Sequence, residues 1–110
     1  MTPINDVILN NKTKLNPIWI MRQAGRYLPE FREIRANNTD FIKLCLNEEL
    51  SSQITLQPIK RFDFDAAIIF SDILMLPYGL GQKVKFEKNF GPKLDNLDLN
   101  EIAKLDEIDF

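Results

Sequence analysis

The chain has 110 residues, 45% apolar and 27% charged, with 14 Lys and Arg against 16 Asp and Glu for a net charge of −2. That composition is ordinary for a globular protein and argues against disorder, and the charge balance excludes a strongly basic nucleic-acid-binding domain, though not a local basic patch. With no histidine and with Cys45 as the single cysteine, the chain holds no histidine general base, Ser-His-Asp triad, His-liganded or Cys-pair metal site, or internal disulfide.

Met1-Thr2-Pro3-Ile4-Asn5-Asp6 lacks a basic stretch followed by an apolar run, so no leader is expected. The longest apolar run, Ala66 to Phe70, falls far short of the ~20 residues a spanning helix needs. The expectation is a soluble, cytoplasmic protein. A lone cysteine fits a reducing compartment. Charge is uneven: residues 1–90 carry 12 basic and 10 acidic side chains, and residues 91–110 carry 2 and 6. The acidic end reads as a solvated helix face.

In chain order, Ile4, Val7 and Ile8 stand at helical spacing and predict a short helix over 4–11. Pro17-Ile18-Trp19-Ile20-Met21 is an almost wholly apolar run opened by proline. It predicts a strand buried on both faces, as in a parallel sheet, with Trp19 in the core. Gln23-Ala24-Gly25 reads as a loop. Pro29 suits the first turn of a helix, and Glu30, Glu33 and Arg35 match its dipole. A second helix is predicted over 39–46, capped by Thr39, with Phe41, Ile42 and Cys45 on one face. Cys45 reads as a buried, inert thiol. Asn47 caps a third helix carrying Leu50 and Ile54, which Pro58 is expected to kink or end.

Asp65 to Phe70 is a second buried-strand pattern. Ser71 or Asp72 then caps a turn over 73–76, stopped by Pro77 and Gly79. Residues 82–95 read as a hairpin outside the main sheet, with Lys83, Lys85 and Lys88 on its wet face. Asp98 or Asn100 caps a last helix with Ile102, Leu105 and Ile108 on its apolar side. Strand, helices, strand, hairpin, helix is the opening of an α/β alternation. Two doubly buried strands need covers on both faces and neighbours on both edges. Residues 1–110 therefore read as a single partial domain, the first part of a larger α/β fold.

The chemistry concentrates after the first apolar run. Arg22 and Arg26 lie just beyond its C-terminal end, the edge where α/β folds bind ligands. Their guanidiniums match carboxylates or phosphates, Gly25 lets the backbone turn between them, and the N–H groups of Ala24 and Gly25 add an anion nest. The competing reading is two surface arginines paired with Glu30 or Glu33. Asp72 follows the second run and should face the same end. It reads either as a partner for a cationic group or as a helix cap. Asp63 and Asp65 precede that run and read as structural. Tyr27 and Phe31 either wall a pocket for a flat ligand or belong to the core. Gly79-Leu80-Gly81 lacks a nucleotide-loop pattern.

Ile18-Trp19-Ile20-Met21-Arg22-Gln23-Ala24-Gly25-Arg26-Tyr27-Leu28-Pro29-Glu30-Phe31-Arg32 resembles the N-terminal signature of the uroporphyrinogen decarboxylases. Asp65-Ala66-Ala67-Ile68-Ile69-Phe70-Ser71-Asp72-Ile73-Leu74 is similar to their second block, and residues 84–94, with Phe86 and Gly91-Pro92, resemble the segment after it. The resemblance covers nearly the whole chain, about the first third of the family's length. It implies the N-terminal portion of a (β/α)₈ barrel, incomplete in this chain, from a cytoplasmic homodimer.

It also implies cofactor-free and metal-free decarboxylation of the four acetate side chains of uroporphyrinogen to give coproporphyrinogen, a step of haem biosynthesis. No nucleic-acid or membrane partner is implied. By resemblance Arg22, Arg26 and the backbone of Gln23, Ala24 and Gly25 contact substrate carboxylates. Arg35 is a further contact, and Asp72 binds the pyrrole N–H groups. The family's later tyrosine, serine or threonine, and histidine have no counterpart here, so the chain alone is expected to be inactive. The alternative is a non-catalytic truncated remnant with at most weak tetrapyrrole binding.

Overall fold

A computed structural model describes residues 2–10, 15–21, 23–87 and 90–104. Arg22, Lys88, Leu105 and Ile108 lie outside the described residues. The chain divides into two compact units, Met1–Phe70 and Ser71–Phe110.

The first unit is helical. α1 (Pro3–Asn10) buries none of its residues. α2 (Pro29–Asn37) starts with Pro29 in its first turn, as expected, with Glu30 there and Arg35 in its last turn. α3 (Phe41–Leu46) is capped by Asp40, whose Oδ1 accepts the Lys43 N–H at 3.1 Å, and not by Thr39. The two neighbours are both good caps, and Asp40 is the one in register with the third residue on. α4 (Glu48–Phe62) starts at Asn47, whose Oδ1 accepts the Leu50 N–H at 2.9 Å.

Pro58 does not end α4. The helix runs on to Phe62 and closes on Asp63, a non-glycine residue in the left-handed region at φ 55°. The Pro58 ring is fully buried. Packing of the ring offsets the hydrogen bond that proline withholds from the turn before it.

Leu28, Phe31, Leu44 and Ile54 form the core, with Ala24, Ile34, Phe41, Leu50 and Phe70 packed around it. The Phe70 ring meets Phe31 edge-on at 5.6 Å and Phe41 at 6.0 Å, between centroids. On α3 the buried residue is Leu44. Phe41, Ile42 and Cys45 are half-buried, so Cys45 is not the buried thiol expected.

The two apolar runs are not buried strands. Residues 17–21 and 65–70 form no ladder among the described residues. Ile18 and Ile20 are 58% and 50% exposed, Ile68 and Ile69 are 59% and 75%, and Trp19 is 43%. A doubly buried strand takes its burial from elements on both faces and both edges. Here α2, α3 and α4 pack around a core that takes in Leu28 and Phe70, and among the described residues no element covers the exposed isoleucines of the runs. One backbone bond, Asp65 N–H to the Ile18 carbonyl at 3.0 Å, joins them. The Ile18 N–H also donates to Asp65 Oδ2 at 2.8 Å. Asp65 is therefore structural, as expected.

In the second unit, α5 (Met75–Gly79) contains Pro77 where the sequence predicts a stop. Pro77 falls in the first turn, where no intrahelical N–H bond is required. β1 (Val84–Glu87) and β2 (Gly91–Leu94) pair antiparallel, Val84 opposite Leu94, as the predicted hairpin. Gly91 enters β2 at φ 82°, a backbone region that favours glycine. The Gln82 side chain closes the base by donating to the Asp95 carbonyl at 2.9 Å. α6 (Leu99–Ile102) opens with a capping box: Glu101 N–H to Asp98 Oδ1 at 2.8 Å and Asp98 N–H to Glu101 Oε2 at 2.9 Å. No described helix is long and apolar enough to cross a membrane. The chain is thus mixed helix and short strand at this level.

Candidate functional site

The loop between Met21 and α2 is held from four directions. Gln23 is buried, 6% exposed, and its Nε2 donates to the Ala66 carbonyl at 2.9 Å. The Tyr27 hydroxyl donates to the Gln23 carbonyl. The Leu28 N–H donates to the Gly25 carbonyl at 3.0 Å, closing a turn. From α2, the Arg32 guanidinium donates one terminal nitrogen to the carbonyls of Arg26, at 2.9 Å, and Tyr27, at 3.3 Å. The turn does not use glycine's special freedom: Gly25 is outside the left-handed region, and a Cβ there would meet only the Tyr27 ring at 3.8 Å.

The N–H groups of Ala24 and Gly25 donate to no described residue. Arg26 is exposed and forms no ion pair with a described residue. Glu30, one of the acids offered as alternative partners, is occupied by Arg61: Nε to Oε1 and Nη2 to Oε2, both at 2.8 Å. This fork holds the Glu30 carboxyl below its ordinary range, chiefly through the Arg61 hydrogen bonds, and raises Arg61 in return. Arg22 lies outside the described residues.

Arg35 is half-buried. It donates to the Asn38 carbonyl and stands over the Phe41 ring, 5.5 Å from its centroid. Phe31 is core, and Tyr27 is 54% exposed, its hydroxyl turned back on the loop.

Asp72 belongs to the second unit. Its Oδ1 accepts the Leu74 N–H at 2.9 Å and its carbonyl accepts the Met75 N–H at 3.0 Å, so it starts the turn into α5. The residue is half-buried, and no described residue donates to its Oδ2.

Sequence reasoning missed three residues that hold these segments. Arg32 is one. Ser51 and Thr55, one turn apart on α4, are the others: Ser51 Oγ donates to the Phe70 carbonyl at 2.7 Å and Thr55 Oγ1 accepts the Phe70 N–H at 2.8 Å. Both backbone groups of Phe70 are thus satisfied by side chains where a ladder would otherwise serve, two residues before Asp72. The signal available in sequence was a pair of hydroxyls at positions i and i+4 on the face that carries Ile54. Among the described residues no cluster of His, Cys, Asp or Glu gathers where it would hold a metal ion.

The family model described as uroporphyrinogen decarboxylase (URO-D) matches residues 1–110. A uroporphyrinogen decarboxylase of Agrobacterium fabrum is 54% identical over 103 residues, 93% of this chain and 30% of the relative. One from Chelativorans sp. is 54% identical over 99 residues, 89% of this chain and 29% of the relative. One from Acidiphilium cryptum is 55% identical over 82 residues, 74% of this chain and 23% of the relative. The chain thus spans at most 30% of the length of these relatives.

Proposed function

Because this chain belongs to the uroporphyrinogen decarboxylase family, we propose that it supplies the carboxylate-binding loop and the central aspartate of a cofactor-free uroporphyrinogen decarboxylase, acting only when the rest of a (β/α)₈ barrel is present. In this reading residues 1–110 are one partial domain of that barrel, the N-terminal part, with the hairpin at 82–95 as an appendage. The complete enzyme is a cytoplasmic homodimer of haem biosynthesis.

The observation that carries the reading is the loop after the first apolar run. Its carbonyls are taken up by Tyr27, Leu28 and Arg32, while Arg26 stays exposed and unpaired to any described acid. Such a loop suits a substrate with eight carboxylates. Arg22 and Arg26, with the backbone of Gln23, Ala24 and Gly25, bind and orient them, and Arg35 assists from α2.

Losing carbon dioxide from an acetate arm leaves an electron pair that needs a sink. Protonation at the adjoining pyrrole carbon makes the ring a cation that receives it, so the substrate is its own sink. Asp72 accepts from the pyrrole N–H groups and stabilises that cation as it forms. Water shed from the pocket strengthens both effects.

The test is an assembly of this chain with the part of the Agrobacterium fabrum relative that it does not match. Conversion of uroporphyrinogen to coproporphyrinogen is expected in the assembly, with Asp72→Ala lowering kcat by ~10²-fold or more. Arg26→Ala is expected to raise KM. Unchanged turnover in both variants overturns the roles given to these residues. An assembly that folds but never turns over supports instead a remnant that only binds tetrapyrrole.

A further inference from the structure

We propose that Arg32 is the positioning residue of this loop, turning a row of backbone N–H groups toward a substrate carboxylate without touching the substrate. The inference rests on the carboxylate-binding reading above and adds a residue and a set of donors to it. Every described peptide bond is trans, and in a trans peptide the C=O and the next residue's N–H point in opposite directions. A carbonyl that is tied down therefore sends its partner N–H the other way.

Three carbonyls of the loop are tied. The Tyr27 hydroxyl holds that of Gln23, which turns out the Ala24 N–H. The Leu28 N–H holds that of Gly25, which turns out the Arg26 N–H. Arg32 holds that of Arg26 at 2.9 Å, which turns out the Tyr27 N–H. None of these three N–H groups donates to a described residue. A second bond from the same Arg32 nitrogen, to the Tyr27 carbonyl at 3.3 Å, locks the next peptide as well.

Arg32 sits on α2, whose core residue Phe31 is 5% exposed, while Arg32 itself is exposed. The helix thus serves as a rigid post for the tether. A planar guanidinium reaches two carbonyls from one nitrogen. Lysine reaches with a single point charge, and methionine cannot donate at all.

The experiment takes the assembly of this chain with the part of the Agrobacterium fabrum relative that it does not match, titrates it with uroporphyrin, a stable flat octacarboxylate, and follows the backbone N–H groups of residues 1–110 by NMR, in wild type, Arg32→Met and Arg32→Lys. We expect the N–H signals of Ala24, Arg26 and Tyr27 to shift in wild type. Arg32→Met should weaken binding by about tenfold, the worth of one charged hydrogen bond, and abolish the Tyr27 shift. Arg32→Lys should restore part of both. Without ligand, the carbonyl carbons of Arg26 and Tyr27 should move in Arg32→Met while the signals of Leu44 and Ile54 stay put.

If Arg32→Met binds as tightly as wild type with the same three shifts, the positioning role is wrong and the carboxylate-binding loop stands. If wild type binds uroporphyrin without shifting these N–H signals, or does not bind it, the loop reading fails and the role of Arg32 with it. Loss of binding in Arg32→Lys equal to that in Arg32→Met, with all three shifts kept, also overturns the positioning role.

Discussion

The side-chain amide of Gln23 donates to the backbone carbonyl of Ala66 at 2.9 Å, bridging 43 positions of sequence. The bond ties the loop that carries Arg26 to the segment that leads to Asp72. It is made by a buried side chain whose own Oε1 has no described partner. Gln23→Ala leaves the Ala66 carbonyl unpaired and opens a small void. We expect a loss of about 1–3 kcal/mol in urea unfolding. Gln23→Glu, which puts a charge in the same buried place, should cost more. A midpoint unchanged by either substitution contradicts the bridge.

Thr55 Oγ1 accepts the Phe70 N–H and its hydroxyl donates to the Ser51 carbonyl at 2.7 Å. Thr55→Val keeps the shape and removes both bonds. The stranded Phe70 N–H should cost about 1–3 kcal/mol, seen as a lower urea midpoint with little change in slope. In the assembled barrel the same variant should raise KM or lower kcat, since Phe70 leads directly into Ser71 and Asp72.

Asp63 ends α4 at φ 55° and ψ 41°, with its N–H on the Ile59 carbonyl. An L residue with a side chain pays for that conformation, and glycine does not. Asp63→Gly should stabilise the chain by about 0.5–1 kcal/mol, and Asp63→Val should destabilise it. The pair of melting curves checks the sign.

The Glu30–Arg61 fork predicts a pH dependence. Glu30 titrates lower in the folded chain than its ordinary value of 4.5, mainly because Arg61 hydrogen-bonds its carboxylate. The unfolded chain therefore binds that proton first as pH falls. The contribution of the pair is complete above the unfolded value and is lost as pH drops through the folded one. Both side chains are partly exposed, so the effect is small and weakens with salt. The stability gap between wild type and Glu30→Gln should be constant near neutral pH and close as pH falls below the ordinary value of 4.5 and through the lowered folded one. A gap that stays the same at every pH contradicts it.

Local signals in the sequence translated well into structure. Pro29, Asn47 and Asp98 each start a helix as their chemistry dictates, because a cap is decided within one turn. The hairpin at 84–94 is equally local. Ile18, Trp19, Ile20, Ile68 and Ile69 show the limit of pattern reading. Their run predicts a strand, but burial of a strand is a property of its neighbours, which these residues do not encode. Pro58 does not end α4, because its ring packs in the interior, and Pro77 is accommodated in a first turn, while Gly79 is the last residue of α5 as expected. Asp72 was legible as a candidate, but it is not the cap of α5: that helix is entered at Leu74 with no side-chain cap, and Asp72 Oδ1 instead closes the turn before it on the Leu74 N–H. Arg32 was not legible, because nothing in its spacing announces that it reaches back to the Arg26 and Tyr27 carbonyls.

The most direct test measures uroporphyrinogen conversion by the purified 110-residue chain, alone and assembled with the unmatched part of a relative, with size and urea unfolding recorded on the same samples. The account predicts no turnover alone and restored turnover, with a cooperative transition, in the assembly. Turnover by the chain alone would contradict it, because the rest of a barrel would then not be needed.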